Sequence, residues 1–155
     1  GQLGDQQVPP AKIIVTSRGI QSNEGDLFKN EQGAKIIVVH TQTIEETFEG
    51  VDYWECGENG VLDWKVFLER SYKEGFQSIL LEGGAGIFSS AMEAGVVNEV
   101  MLFMAPKFIG QKGSKSLLDM SSISSLSDSL ALEDMLVDRV GEDILVRGTL
   151  KKSKK

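Results

Sequence analysis

Glu82-Gly83-Gly84 interrupts the chain between an apolar run, Ile79-Leu80-Leu81, and a small-residue segment that begins Ala85-Gly86. A carboxylate at the end of a strand can hydrogen-bond a ligand hydroxyl or accept a proton. Bare peptides after it let a ligand lie against the backbone, and the first N–H groups of a following helix favour a phosphate. The same residues also make an ordinary tight strand-to-helix turn, and spacing alone does not separate the two readings. The stretch is neither a complete G-x-G-x-x-G nor a P-loop, because no Lys follows the glycines.

Thr16-Ser17-Arg18 closes another apolar run, Ile13-Ile14-Val15. Two hydroxyls and a guanidinium suit a phosphate monoester, which Arg can grip with two parallel hydrogen bonds. As the start of a solvated loop the same three residues need no ligand. Two anion-capable strand ends together point to a ligand with phosphates at two places, such as NADPH. His40 ends the run Ile36-Ile37-Val38-Val39 in the same way, where a single His reads as an ordinary structural residue. It is the only His and Cys56 the only Cys, which excludes an internal disulfide framework and argues against a Cys/His zinc site. No Ser/His/Asp or Cys/His set suggests nucleophilic catalysis.

The elements that must hold these residues follow from hydropathy and punctuation. "AKIIVTS" (11–17) and "AKIIVVH" (34–40) are unbroken, β-branched runs, the pattern of parallel strands covered on both faces. The polar stretch between them reads as loop, with a helical turn around Asp26 to Lys29. Asp63 caps a helix through "WKVFLERSYKE", with Trp64, Phe67, Leu68 and Tyr72 as its apolar stripe and Gly75 as its stop. "FQSILLE" (76–82) is predicted to be a strand, Ile87 to Ala94 a short helix closed by Gly95, and 96–110 a long strand stopped by Pro106. Two alternating strands around Gly141-Glu142 form a terminal hairpin. The reading is an α/β fold with parallel strands first and antiparallel strands last.

With 155 residues, 41% hydrophobic and 25% charged, the chain suits one soluble globular domain with a real core. No apolar run is long enough to span a bilayer, and a net charge of −7 argues against nucleic acid as a partner. The lone cysteine suits a reducing setting, the cytoplasm or, in a plant, the plastid stroma. Residues 1–10 read as a linker ending in Pro9-Pro10, and Lys151 to Lys155 as a short basic, solvated tail.

"ILLEGGAGIFSSAMEAGVVNEVMLFMAPKFIG" resembles the reductase domain of the bacterial riboflavin biosynthesis protein RibD, a branch of the dihydrofolate-reductase-like fold. Glu82-Gly83-Gly84, Val97-Asn98-Glu99, Ala105-Pro106 and Gly110 occupy the positions of the family pattern, with Asn98 where the family usually has Asp. "PPAKIIVTS" and "EDILVRG" extend the likeness over nearly the whole chain. The resemblance implies a three-layer mixed sheet and NADPH-dependent reduction of 5-amino-6-(5-phosphoribosylamino)uracil to its ribitylamino product. It implies that Glu82 binds the substrate. It also implies that Gly83, Gly84, Ala85, Gly86, Ile87, Phe88, Ser89 and Ser90 line the cofactor pyrophosphate. Thr16, Ser17 and Arg18 would meet the cofactor's 2′-phosphate, and no catalytic acid is singled out. A cis Gly83–Gly84 peptide is expected from the same fold. Family members pair and follow a deaminase domain, so a homodimer and an upstream segment, with more strands and basic residues, are expected. A non-catalytic nucleotide-binding or dimerisation module, and a different pteridine- or folate-type reductase, are the alternatives.

Overall fold

A computed structural model of the chain describes residues 9–16, 33–110, 112, 115–124 and 129–151. The loop and helical turn expected between the first two strands, Ser17 and Arg18, and the basic tail beyond Lys151 lie outside the described residues. The chain divides between Ser78 and Ile79 into two units.

The first unit is built on three parallel strands, β1 (Lys12–Thr16), β2 (Ile36–His40) and β3 (Val51–Glu55), in that order. Their register sets Ile13 beside Ile37, Val15 beside Val39, Val39 beside Trp54, and the terminal residues Thr16, His40 and Glu55 in one row. All five residues of β2 are buried, as expected of a central strand covered on both faces. The third strand was not predicted, because "VDYWE" is short and carries charges at two of its five positions. A small hairpin follows, β4 (Gly57–Glu58) with β5 (Val61–Leu62). Gly57 has φ +134°, and a Cβ there would strike the Val61 carbonyl, so only glycine fits.

Helix α1 (Trp64–Lys73) starts and stops where its punctuation predicts. The Asp63 carboxylate accepts a hydrogen bond from the Val66 N–H at 3.1 Å, and Gly75 takes φ +88° past the Glu74 cap. Phe67 packs with Ile37, Val39, Trp54 and Cys56, and Trp64 and Leu68 join the rim of that cluster. Tyr72 does not: it is 81% exposed. Counting 100° per residue from Trp64, the seventh position returns to the core face and the eighth overshoots it. Ser71 is therefore buried instead, and its hydroxyl donates to the Phe67 carbonyl at 2.8 Å. Trp54 is the hub, with ring centroids 6.5 Å from Phe67 and 6.3 Å from Phe76, and the Arg70 guanidinium 4.9 Å from its centroid.

The second unit holds helix α2 (Ala85–Glu93) and an antiparallel sheet in the order β6 (Glu99–Met104), β8 (Asp143–Leu150), β7 (Leu132–Val140). The predicted hairpin closes through Gly141-Glu142, with Val140 opposite Asp143. The strand predicted over 96–110 is shorter, because Pro106 cannot donate to a ladder. The strand predicted over 76–82 belongs to no ladder among the described residues. Its composition suits a strand, but a strand exists only through paired neighbours, and this run bridges the two units with Ile79 38% and Leu80 74% exposed. The result is a mixed α/β chain with parallel strands first and an antiparallel sheet last.

Truncation at the hub should separate core from surface. Trp54→Ala is expected to lower unfolding free energy in urea by about 3–5 kcal/mol, and Tyr72→Ala to change it by no more than about 0.5 kcal/mol. Equal effects would contradict the packing described for α1.

Candidate functional site

The Glu82-Gly83-Gly84 turn leads directly into α2. The helix begins at Ala85, two residues before the predicted start, so the glycines are its cap and not its lead-in. Gly84 is the N-cap, extended at φ −87° and ψ 175°, and no side chain caps the helix. The first turn carries no acidic residue. The N–H groups of Ala85, Gly86 and Ile87 thus have no partner in the helix ladder, and the helix dipole adds positive potential where they emerge. A Cβ built at Gly84 or Gly86 would meet nothing within 4 Å, so the backbone here is open to close approach. Open backbone, uncapped donors and no carboxylate in the first turn fit the pyrophosphate of a dinucleotide.

Gly83 is the constrained position. Its φ is +158°, and a Cβ would lie 2.8 Å from Ile87 Cγ2. No peptide among the described residues is cis, so the expected cis Gly83–Gly84 bond is not found: the backbone turns through the dihedral freedom of Gly83 instead. Glu82 is exposed at the mouth of the turn, available as a hydrogen-bond acceptor.

Not every residue predicted to line the cofactor is free to do so in the same way. Ser89 is 4% exposed, and its Oγ accepts a hydrogen bond from the Asp119 N–H at 2.7 Å. That bond ties α2 to the segment after β6 and gives Ser89 a structural task. Ile87 and Phe88 are half-buried against the unit. Ser90 is also half-buried and has its own interaction partner. The exposed approach is therefore made of Glu82, Gly83, Gly84 and Gly86, with Ala85 partly covered.

In the first unit, Thr16 ends β1 as predicted, engaged in an interaction of its own, and Ser17 and Arg18 follow it outside the described residues. His40 is 8% exposed, with Nδ1 2.9 Å from the Gln42 carbonyl oxygen, to which it donates. Sequence reasoning passed over the next residue. Thr41 is 2% exposed, and its Oγ1 has no hydrogen-bond partner among the described residues. An orphaned buried hydroxyl costs about 1–3 kcal/mol and is rare in folded chains. The signal was positional: Thr41 directly follows His40, which closes β2 in the same row as Thr16 closes β1.

Cys56 is fully buried, and burial pushes its thiol above the ordinary range, with Arg70 pulling it part of the way back and Asp63 adding to the rise. It is placed as a core residue and not as a nucleophile. Among the described residues no three His, Cys, Asp or Glu cluster to hold a metal ion, and no helix is long and apolar enough to cross a membrane.

The turn geometry orders two glycine substitutions. Gly83→Ala should cost about 1–3 kcal/mol of stability through its dihedral and the Ile87 contact, and Gly84→Ala no more than about 1 kcal/mol at an N-cap with open space. Urea denaturation of both variants tests this, and the reverse order would displace the constraint from Gly83.

Comparison with known proteins gives the chain's lineage. The family model described as the RibD C-terminal domain matches residues 2–146. The riboflavin biosynthesis protein RibD of Chlamydia trachomatis is 29% identical over 97% of this chain and 39% of its own length. The 2,5-diamino-6-ribosylamino-4(3H)-pyrimidinone 5′-phosphate reductase of Methanothermobacter thermautotrophicus is 32% identical over 58% of this chain and 42% of its own. The chain thus spans about two fifths of these relatives' length. Among solved structures, RibD of Acinetobacter baumannii superposes with a TM-score of 0.70 at 19% identity, covering 90% of this chain and 37% of that one. A riboflavin biosynthesis reductase of Saccharomyces cerevisiae gives 0.68 at 24%, covering 92% and 70%. At these identities the structures establish the fold, and the family match establishes the lineage: this chain belongs to the RibD C-terminal domain family.

Proposed function

We propose that the chain is the reductase portion of a riboflavin biosynthesis enzyme. It would reduce 5-amino-6-(5-phosphoribosylamino)uracil to the ribitylamino product with NADPH. The observation that carries this reading is the Glu82-Gly83-Gly84 turn opening onto an uncapped helix, in a chain of the RibD C-terminal domain family. Relatives named as reductases of a closely similar ribosylaminopyrimidine phosphate point the same way.

NADPH, when bound, supplies a hydride. The net change adds that hydride to C1′ of the ribosyl group, breaks the C1′–O4′ bond and leaves a proton on O4′. The chain's own work is orientation and electrostatics. Backbone donors at Ala85, Gly86 and Ile87 hold the pyrophosphate, and the Gly83 and Gly84 peptides let it lie close. Glu82 hydrogen-bonds the substrate. Thr16, Ser17 and Arg18 recognise the 2′-phosphate that distinguishes NADPH from NADH.

Partner readings belong to the same proposal. The family's deaminase fusion suggests that such a domain precedes this one, and a second copy of the chain is the expected homodimer partner. β6 supports the latter: Met101 and Phe103 on one face are 46% and 56% exposed, and Met104 on the other is 44% exposed. A sheet this apolar is an interface in search of cover.

Isothermal titration of the chain tests the cofactor and substrate roles. NADPH is expected to bind more tightly than NADH. Arg18→Ala should weaken NADPH by about 1.5–3 kcal/mol and leave NADH nearly unchanged. Glu82→Gln should keep NADPH and lose the pyrimidine. Equal affinity for the two nucleotides would remove Arg18 from the site. Sedimentation at high micromolar concentration should give a dimer, and a monomer there counts against pairing through the C-terminal sheet.

A further inference from the structure

The β4–β5 hairpin of the first unit is short, and its loop is Asn59-Gly60. Gly57 pairs with Leu62 and Glu58 with Val61, which leaves two residues to turn the chain. Both take positive φ, +52° at Asn59 and +81° at Gly60, as a type I′ turn requires. Both are exposed. The base of the hairpin is fastened by the Asp63 N–H, which donates to the Cys56 carbonyl at 3.0 Å. At the tip the Gly60 N–H donates to the Thr41 carbonyl at 3.5 Å, long for an N–H···O bond.

We propose that Asn59 is a deamidation site, gated by release of the Gly60 N–H from the Thr41 carbonyl. The main-chain nitrogen after an asparagine can attack the side-chain amide carbon, and glycine has no Cβ to hinder the approach. In that step the Gly60 nitrogen gives its proton to base and bonds to Asn59 Cγ. The Cγ–Nδ2 bond breaks, and the amide nitrogen takes up a proton and leaves as ammonia. Water then opens the five-membered imide to aspartate or to isoaspartate, with no change in oxidation state. While the bond to Thr41 holds, the Gly60 proton is retained and the turn is fixed, so attack waits for the tip to lift. A ladder two residue pairs long offers little against that local opening. Asn23, Asn30 and Asn98 each precede a glutamate, whose side chain crowds the same attack.

The two products differ in what they do to the fold. Aspartate keeps the backbone, and Asp-Gly suits a type I′ turn as Asn-Gly does. Isoaspartate routes the main chain through an extra carbon, so a two-residue loop no longer closes the Glu58–Val61 pair in register. The Gly60–Thr41 contact at the end of β2 is lost with it.

Incubation of the whole chain in warm, mildly alkaline buffer tests the proposal, read by peptide mapping with mass spectrometry and by enzymatic methylation of isoaspartate. The amide-to-acid mass change and the methyl label are expected at Asn59 and not at Asn98. Conversion should run several-fold faster in urea, where the tip is free. Asn59→Gln should take up no label. Aged parent should melt lower than freshly prepared Asn59→Asp, and by more as its isoaspartate content rises. An unmodified Asn59, or conversion of Asn98 to the same extent, would overturn the site. Equal rates in buffer and urea would overturn the gate, and equal melting of aged parent and Asn59→Asp would overturn the effect on the hairpin.

Discussion

A parallel strand has no hairpin partner to hold it, so a central one survives only if both edges and both faces are covered. β2 meets that condition at every residue, and the first unit is arranged to satisfy it. β1 and β3 take its edges, and α1 lays Phe67 and Leu68 over the face that carries Ile37, Val39 and Trp54. The same demand pushes polar chemistry out of the strand. Thr16, His40, Thr41 and Glu55 gather at the carboxyl ends because the interior has no room for them. In the first unit, the core and the polar row at the strand ends are consequences of one burial constraint.

The second unit meets a different constraint. Its helix starts on glycine, without a side-chain cap, and leaves backbone donors facing outward. Its sheet is antiparallel and tolerates water on one side, so apolar β6 and β7 residues remain exposed without collapse. The bidentate Arg147–Glu99 pair at 2.7 and 3.3 Å links β8 to β6 at the surface, where it aids register more than stability. Ser89 anchors the post-β6 segment to α2, so the helix that would receive phosphate is braced from behind.

Much of this was legible in the residues, for reasons that also mark the limits. Capping by Asp63, the Gly75 stop, the two β-branched runs and the Gly141-Glu142 turn are local signals, and local signals were obeyed. Tyr72 was misplaced by one position because a stripe read by hydrophobicity passes over a buried serine. "VDYWE" was missed because a strand at the edge of a buried sheet shows its charges outward. Residues 76–82 were assigned a pairing that depends on neighbours far along the chain, and no composition supplies neighbours. Thr41 was invisible for a related reason: an unsatisfied hydroxyl is a property of surroundings, not of residue type.

Cys56 carries a consequence for the lifetime of the protein. Oxidants and alkylating agents attack the thiolate, and this sulfur is both out of reach and held protonated by its apolar surroundings. Its ionisation is disfavoured only while the sheet is shut, so a little of the fold's stability is present below the ordinary thiol range and fades as pH climbs from there toward the raised value. Each transient opening of β3 exposes a normal cysteine. Chemical damage at this sulfur therefore accumulates in proportion to the time the surrounding sheet spends open, and the fraction of molecules modified records openings too brief to see by other means.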